Sequence, residues 1–180
     1  MMSDTDILQG LFKQAVCIRA VDNKITLSEP SQPESQVSIC NLPDDAVCVK
    51  ADMIDLRHFF ADTSKGECKR ADYLIFSEER KRILVIEMKK RKDAWKVICQ
   101  QLHGAYCLAM YCLEVGRTFW QARGALSDYQ PCFVSISHTV VGTGRQKYAG
   151  LASSLDSHVV VRKVSHPLHL QYPRLVSDNW

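Results

Sequence analysis

Two apolar segments joined by a short polar turn constrain this chain more than any other feature. "ADYLIF" (71–76) leads into "SEERK" and then into "RILVIEMK" (82–89). Successive side chains of an extended strand point to opposite faces. Ile83 and Val85 therefore line one face of the second segment, and Leu84, Ile86 and Met88 the other. A strand apolar on both faces belongs at the centre of a sheet that is covered on both sides.

The segments downstream of the hairpin set the fold class. Trp95, Ile98, Leu102, Ala105, Tyr106, Ala109 and Leu113 recur at three- and four-residue steps, which predicts an amphipathic helix over about Asp93 to Val115. Asp93 suits its N-cap and Gly116 its stop. "CFVSISHTVV" (132–141) reads as a further strand. The order strand, strand, helix, strand predicts an α/β fold with a mixed central β-sheet flanked by helices. The 180 residues suit a single domain, 1–180.

Upstream, apolar spacing predicts a helix from about Asp4 to Ala15. "VCIRAVDNKITLS" reads as a hairpin turning at Asp22-Asn23. Glu29 to Gln36 reads as a polar loop, "VSIC" and "AVCVKA" as short strands, and "ADTSKGECK" as a loop. "DMIDLRHFF" fits either helix or strand, with His58 a partly buried packing residue. Downstream come a basic loop, "GTGRQK", a short helix around Leu151 to Leu155, and a strand, "HVVVRKV".

Composition excludes several classes. Apolar residues make up 46% and charged residues 24%, as in ordinary globular proteins. No apolar run approaches the roughly 18 residues of a bilayer span. The first ten residues carry Asp4 and Asp6 and no basic residue, unlike a signal peptide. The eight cysteines show neither C-x-x-C nor zinc-finger spacing. They read as buried free thiols in a reducing compartment, the cytoplasm. Net charge is +3, but Lys65 to Lys96 holds eleven Lys or Arg against six Asp or Glu. Basic charge concentrated around one segment favours a polyanionic partner.

That same segment carries the candidate chemistry. A turn centred between Glu79 and Arg80 sets Asp72 opposite Glu87, and facing side chains on antiparallel strands lie about 4.5–5.5 Å apart at Cβ. Two carboxylates so placed can share one divalent cation such as Mg2+, which favours oxygen ligands. Lys89, two residues beyond Glu87, shares its face, and the main-chain carbonyl of Met88 lies between them as a further oxygen ligand. The structural alternative is a Glu87–Lys89 salt bridge where the strand surfaces.

Asp72 on one strand, followed by Glu87-x-Lys89 near the end of the next, resembles the PD-(D/E)XK, or restriction-endonuclease-like, nuclease superfamily. The resemblance covers about Lys69 to Val115, with a motif core of about 69–137. It implies a restriction-endonuclease-like core, Mg2+ or Mn2+ as cofactor, and phosphodiester hydrolysis by Asp72, Glu87 and Lys89. Asp72, Glu87 and Met88 would hold the metal. Lys89 would either orient or activate the attacking water, or hold the phosphate.

The implied partner is nucleic acid, with DNA the leading choice, in repair, recombination or genome defence. Lys69, Arg70, Lys90, Arg91 and Lys92 would contact its backbone, and a protein partner or second subunit would choose targets. Many relatives carry a further acid. Asp4, Asp6, Asp52 and Asp55 are available for that role and none stands out; Asp55 and, from the following helix, Gln101 are each accessory candidates. One branch of the superfamily has Gln-x-x-x-Tyr on the following helix, whereas Tyr106 falls five or six residues after Gln100 and Gln101. Two other functions stay open: a catalytically inactive module that binds nucleic acid or a protein, and a small-molecule phosphodiesterase or sensor. His166 and His169 in the tail read as structural.

Overall fold

The computed structural model describes residues 2–29, 32–63, 65–89, 94–120, 126–137, 147–165, 167 and 169–178. Among these residues, seven strands form a mixed sheet. They are β1 (Cys17–Ile18), β4 (Val47–Lys50), β5 (Tyr73–Ser77), β6 (Arg82–Lys89), β7 (Gln130–Ser137), β8 (Lys147–Ala152) and β9 (Val160–Ser165), in the order β1-β4-β5-β6-β7-β9-β8. The strands from β1 to β6 pair antiparallel, β6, β7 and β9 run parallel, and β8 returns antiparallel on the edge. A second sheet has the order β10-β3-β2, from β2 (Ile25–Glu29), β3 (Gln32–Cys40) and β10 (His169–Gln171).

The large sheet separates two cores. On one face α1 (Asp4–Leu11) and α2 (Trp95–Phe119) cover Val49, Leu74, Phe76, Ile83, Val85, Phe133 and Val161. On the other, the small sheet and α3 (Tyr172–Val176) cover Cys48, Tyr73, Ile75, Leu84, Ile86, Met88, Val134 and Val164. Each fully buried aliphatic side chain contributes about 1.5–3 kcal/mol. The doubly apolar pattern of β6 is thereby explained: it is central, and both faces are covered.

Local chemistry closes the β5–β6 hairpin. Lys81 takes a positive φ of 47° and its N–H donates to the Glu78 carbonyl. Asp45 clamps the turn from outside, accepting from Ser77 Oγ at 3.0 Å and from the Glu79 N–H at 2.7 Å. α2 buries Ile98, Leu102, Ala105, Ala109 and Leu113 against the sheet, as its spacing predicts.

Several expectations change. α1 ends at Leu11, and Gln14–Val16 form a separate 3-10 turn. α2 runs through Gly116 to Phe119. Gly116 serves close packing instead, since a Cβ there would sit 2.4 Å from Leu126 Cδ1. The Asp22-Asn23 turn forms, with φ of 50° and 54°, but its arms part into different sheets after one bridge, Val21 to Lys24. Much of the expected loop Glu29 to Gln36 is strand, because β3 pairs there with β2, from Gln36 opposite Ser28 to Gln32 opposite Glu29. Leu151 and Ala152 end the edge strand β8 rather than starting a helix, since pairing with β9 satisfies their backbone. The ambiguous stretch forms two 3-10 turns, Ala51–Met53 and Leu56–His58, and His58 is exposed. Asp93, the expected cap of α2, lies outside the described residues.

Candidate functional site

The β5–β6 ladder pairs Tyr73 with Ile86 through to Ser77 with Arg82. One step further sets Asp72 opposite Glu87, the register expected from the turn. Both belong to the face of Leu74 and Val85, beneath α2. Asp72 is 8% exposed and Glu87 0%. Asp72 is held from both flanks: its carbonyl accepts the Ala51 N–H at 2.9 Å, and its Oδ2 accepts the Met88 N–H at 2.7 Å. Lys89 Nζ lies 2.6 Å from Glu87 Oε1, with the lysine side chain 24% exposed.

The ion pair of the structural alternative therefore exists at the end of β6, with its lysine partly exposed and its acid wholly buried. An ionised carboxylate in such a place is costly unless paired. A buried ion pair often does no better for stability than an apolar pair of the same volume. Stability by itself is thus a weak reason for this pair to be here.

The three lie toward the C-terminal ends of the parallel strands β6, β7 and β9, where open α/β sheets form ligand sites. Pairing across those strands carries the polar row onward. Glu87 pairs with Ser135 and Lys89 with Ser137. Ser135 then pairs with Lys163 and Ser137 with Ser165. Ser137 and Ser165 place their Oγ atoms 3.0 Å apart. Sequence reading missed this extension. Its one local signal is the switch along β7 from Phe133 to Ser135 and Ser137 on a single face.

The other expected residues are more scattered. Lys69 is exposed, while half-buried Arg70 donates to the Cys68 carbonyl at 2.8 Å and so partly braces its own loop. Lys90, Arg91, Lys92 and His166 lie outside the described residues. Gln101 is half-buried on α2, and its Oε1 is a buried atom without a hydrogen-bond partner among the described residues. Asp55 turns to Arg57 (2.7 Å), whose hydrogen bonds hold its carboxyl well below the ordinary range, and its backbone lies in a separate turn from the hairpin. Asp52 is better placed. It follows Ala51, the residue bonded to the Asp72 main chain, and burial raises its carboxyl pKa while Lys50 and Arg70 oppose the rise.

Asp4 is buried at the opposite end of the sheet, accepting from Lys81 (2.6 Å), the Leu126 N–H (2.9 Å) and Tyr129 (3.1 Å). Asp6 completes the capping box of α1. Both are structural. Of the cysteines, Cys48, Cys68, Cys99, Cys112 and Cys132 are buried thiols, whereas Cys107 is exposed on α2 rather than buried with its apolar neighbours.

Among the described residues no three His, Cys, Asp or Glu side chains gather as a metal-binding group, so the candidate centre rests on two carboxylates and main-chain oxygen. A cavity of about 670 Å³ lies elsewhere, between the 56–67 segment and the outer side of α2. Phe59, 82% exposed, and Phe60 and Tyr111 line it. No described helix is long and apolar enough to cross a membrane. Comparison with family models, curated proteins and solved structures finds no match.

Proposed function

We propose that this chain is a divalent-metal-dependent nuclease with a restriction-endonuclease-like core, hydrolysing phosphodiester bonds of nucleic acid, DNA foremost. The observation that carries the reading is the meeting of Asp72, Glu87 and Lys89 on one buried sheet face at the end of a central hairpin. The succession of antiparallel hairpin, amphipathic α2 and parallel β7 also supports it.

The residues fit a hard cation. Two carboxylates on facing strands repel one another unless a cation lies between them. The Met88 N–H is aimed at Asp72, and in an extended strand the N–H and C=O of one residue leave by the same edge. The Met88 carbonyl therefore faces the Asp72 strand as a third oxygen. Beside Glu87, the buried Ser135 Oγ has no hydrogen-bond partner among the described residues, an atom placed for a bound water or phosphate oxygen. Mg2+ or Mn2+ held here would acidify a water and neutralise phosphate charge. Lys89, already beside Glu87, then orients that water or holds a phosphate oxygen. Lys69, with Arg70 in a lesser part, grips the backbone without regard to sequence.

The test is digestion of plasmid, linear and single-stranded substrates with Mg2+ or Mn2+, using wild type, Asp72→Asn and Glu87→Gln. Metal-dependent cutting by wild type and none by either variant is the expected result. The Glu87–Lys89 contact is also what an inactive binding module with a structural ion pair would show. Binding without cutting by wild type would establish that reading instead.

A further inference from the structure

We propose that the candidate centre continues across β7 onto β9, where Ser135 and Lys163 form a subsite for a backbone phosphate next to the one that is cut. This rests on the nuclease reading and says how the substrate strand lies across the sheet.

The sheet register supplies the geometry. Glu87, Ser135 and Lys163 are consecutive partners on three parallel strands, so they form one row on one face. Burial confirms the face: Val161, two residues before Lys163, belongs to the core beneath α2, and Val164 to the opposite core. Neighbouring strands are about 4.8 Å apart, which places the Lys163 backbone about 10 Å from that of Glu87. A metal held between Asp72 and Glu87 and an ammonium two strands away thus engage different phosphates of one chain.

The row is also polarised. Its acids are Glu87 on β6 and Asp72 just before β5, its hydroxyl is Ser135 on β7 and its cation Lys163 on β9. In the next row the hydroxyls of Ser137 and Ser165 on β7 and β9 lie between Lys89 on β6 and Lys147 on β8. Ser135 is 0% exposed, and its Oγ lacks a hydrogen-bond partner among the described residues. A buried hydroxyl without a partner costs about 1–3 kcal/mol, which a phosphate oxygen or its bound water would recover. Lys163 is half-buried and makes no ion pair among the described residues. A half-buried lysine beside a buried hydroxyl, at the C-terminal ends of parallel strands, suits an anion.

The experiment uses the full chain and a fluorescent 20-nucleotide DNA probe. Binding is titrated in Ca2+ at several KCl concentrations, and cutting is followed in Mg2+. Lys163→Ala should weaken binding several-fold, raise KM by more than it lowers kcat, and reduce the slope of log K against log salt by about 1, the signature of one lost phosphate contact. Lys163→Arg, which keeps the charge, should restore the slope, and melting temperatures confirm that both variants fold. Ser135→Ala should weaken binding without altering the slope, because a hydroxyl releases no counterion. Wild-type affinity, KM and slope in Lys163→Ala, in a protein that cuts, would overturn the subsite and leave the nuclease reading intact. A wild type that neither binds nor cuts the probe overturns both.

Discussion

Lys89 reaches back along one pleat of β6 and sets its Nζ 2.6 Å from Glu87 Oε1. The acid is wholly buried and the lysine partly open, so the pair spans from the sheet interior to the mouth of the site. Asp72 turns its Oδ2 to the Met88 N–H. One face thus holds two acids in different settings, one beside an ammonium and one beside a main-chain donor. That asymmetry lets the two carboxylates do different work.

Lys89→Ala should lower cleavage at least about a hundredfold, the scale of a lost proton-transfer group. Affinity for nucleic acid should change little, because many basic groups share it. The same change strips Glu87 of a partner, so stability should fall and Glu87→Gln in the same protein should restore it. Cleavage rate, Kd and Tm would be read on one preparation of each variant. Cutting at the wild-type rate by Lys89→Ala would remove it from the chemistry.

Metal should stabilise the fold by mass action. A cation bound by the native state alone adds about 2.7 kcal/mol at a hundred times its Kd. Mg2+ or Mn2+ should therefore raise the Tm of wild type and leave that of Asp72→Asn almost unmoved. Equal shifts in both proteins would place any bound metal elsewhere.

Leu102 is fully buried on the sheet side of α2. Leu102→Ala should cost about 2–5 kcal/mol in denaturant melts. A loss below about 0.5 kcal/mol, typical of surface changes, would be incompatible with that packing.

Gly104 is where α2 meets the segment leading to Asp72, and a Cβ there would lie 1.9 Å from the Lys69 carbonyl oxygen. Main chain cannot swing aside as a side-chain tip does. Gly104→Ala should cost about 1–3 kcal/mol and also slow cutting, because the displaced segment carries Asp72 three residues on. Unchanged stability and unchanged cutting together would count against this contact.

Stability should decline in alkali. Burial, with a smaller effect from neighbouring Cys17, pushes the Cys48 thiol from 9.0 up to about 12, and burial raises Cys112 to about 11. The unfolded thiols ionise near 9.0 while the folded ones keep their protons. The unfolded state therefore binds fewer protons above that pH, and stability falls from about pH 9 toward the folded values. Urea melts at pH 8 and 10.5 should show the loss, and Cys48→Ala should flatten it. An identical slope in the variant would assign the decline to other groups.

Much of the centre was legible in the sequence because it is local. The apolar run from Ile83 to Met88, broken only at Glu87, marks a strand covered on both faces, and β6 spans the residues that pattern marks, Arg82–Lys89. The short turn sets the register, so Asp72 opposite Glu87 follows from counting. The spacing of Ile98, Leu102, Ala105 and Ala109 likewise reveals the buried side of α2. The polar extension was not legible. Ser135 and Lys163 join the row only because β7 and β9 lie parallel beside β6, and such neighbours meet through long crossovers that leave no mark in the strands themselves. Edge strand β8 and the first half of β3 escaped for a related reason, since pairing partners rather than side-chain periodicity make them strands. Local pattern determined the hairpin, its register and the helix above it, because turn length and side-chain period act over a few residues. The tertiary fold decided which strands flank that hairpin, and so where its acid pair meets hydroxyls and a cation, because that contact forms only once distant segments are packed.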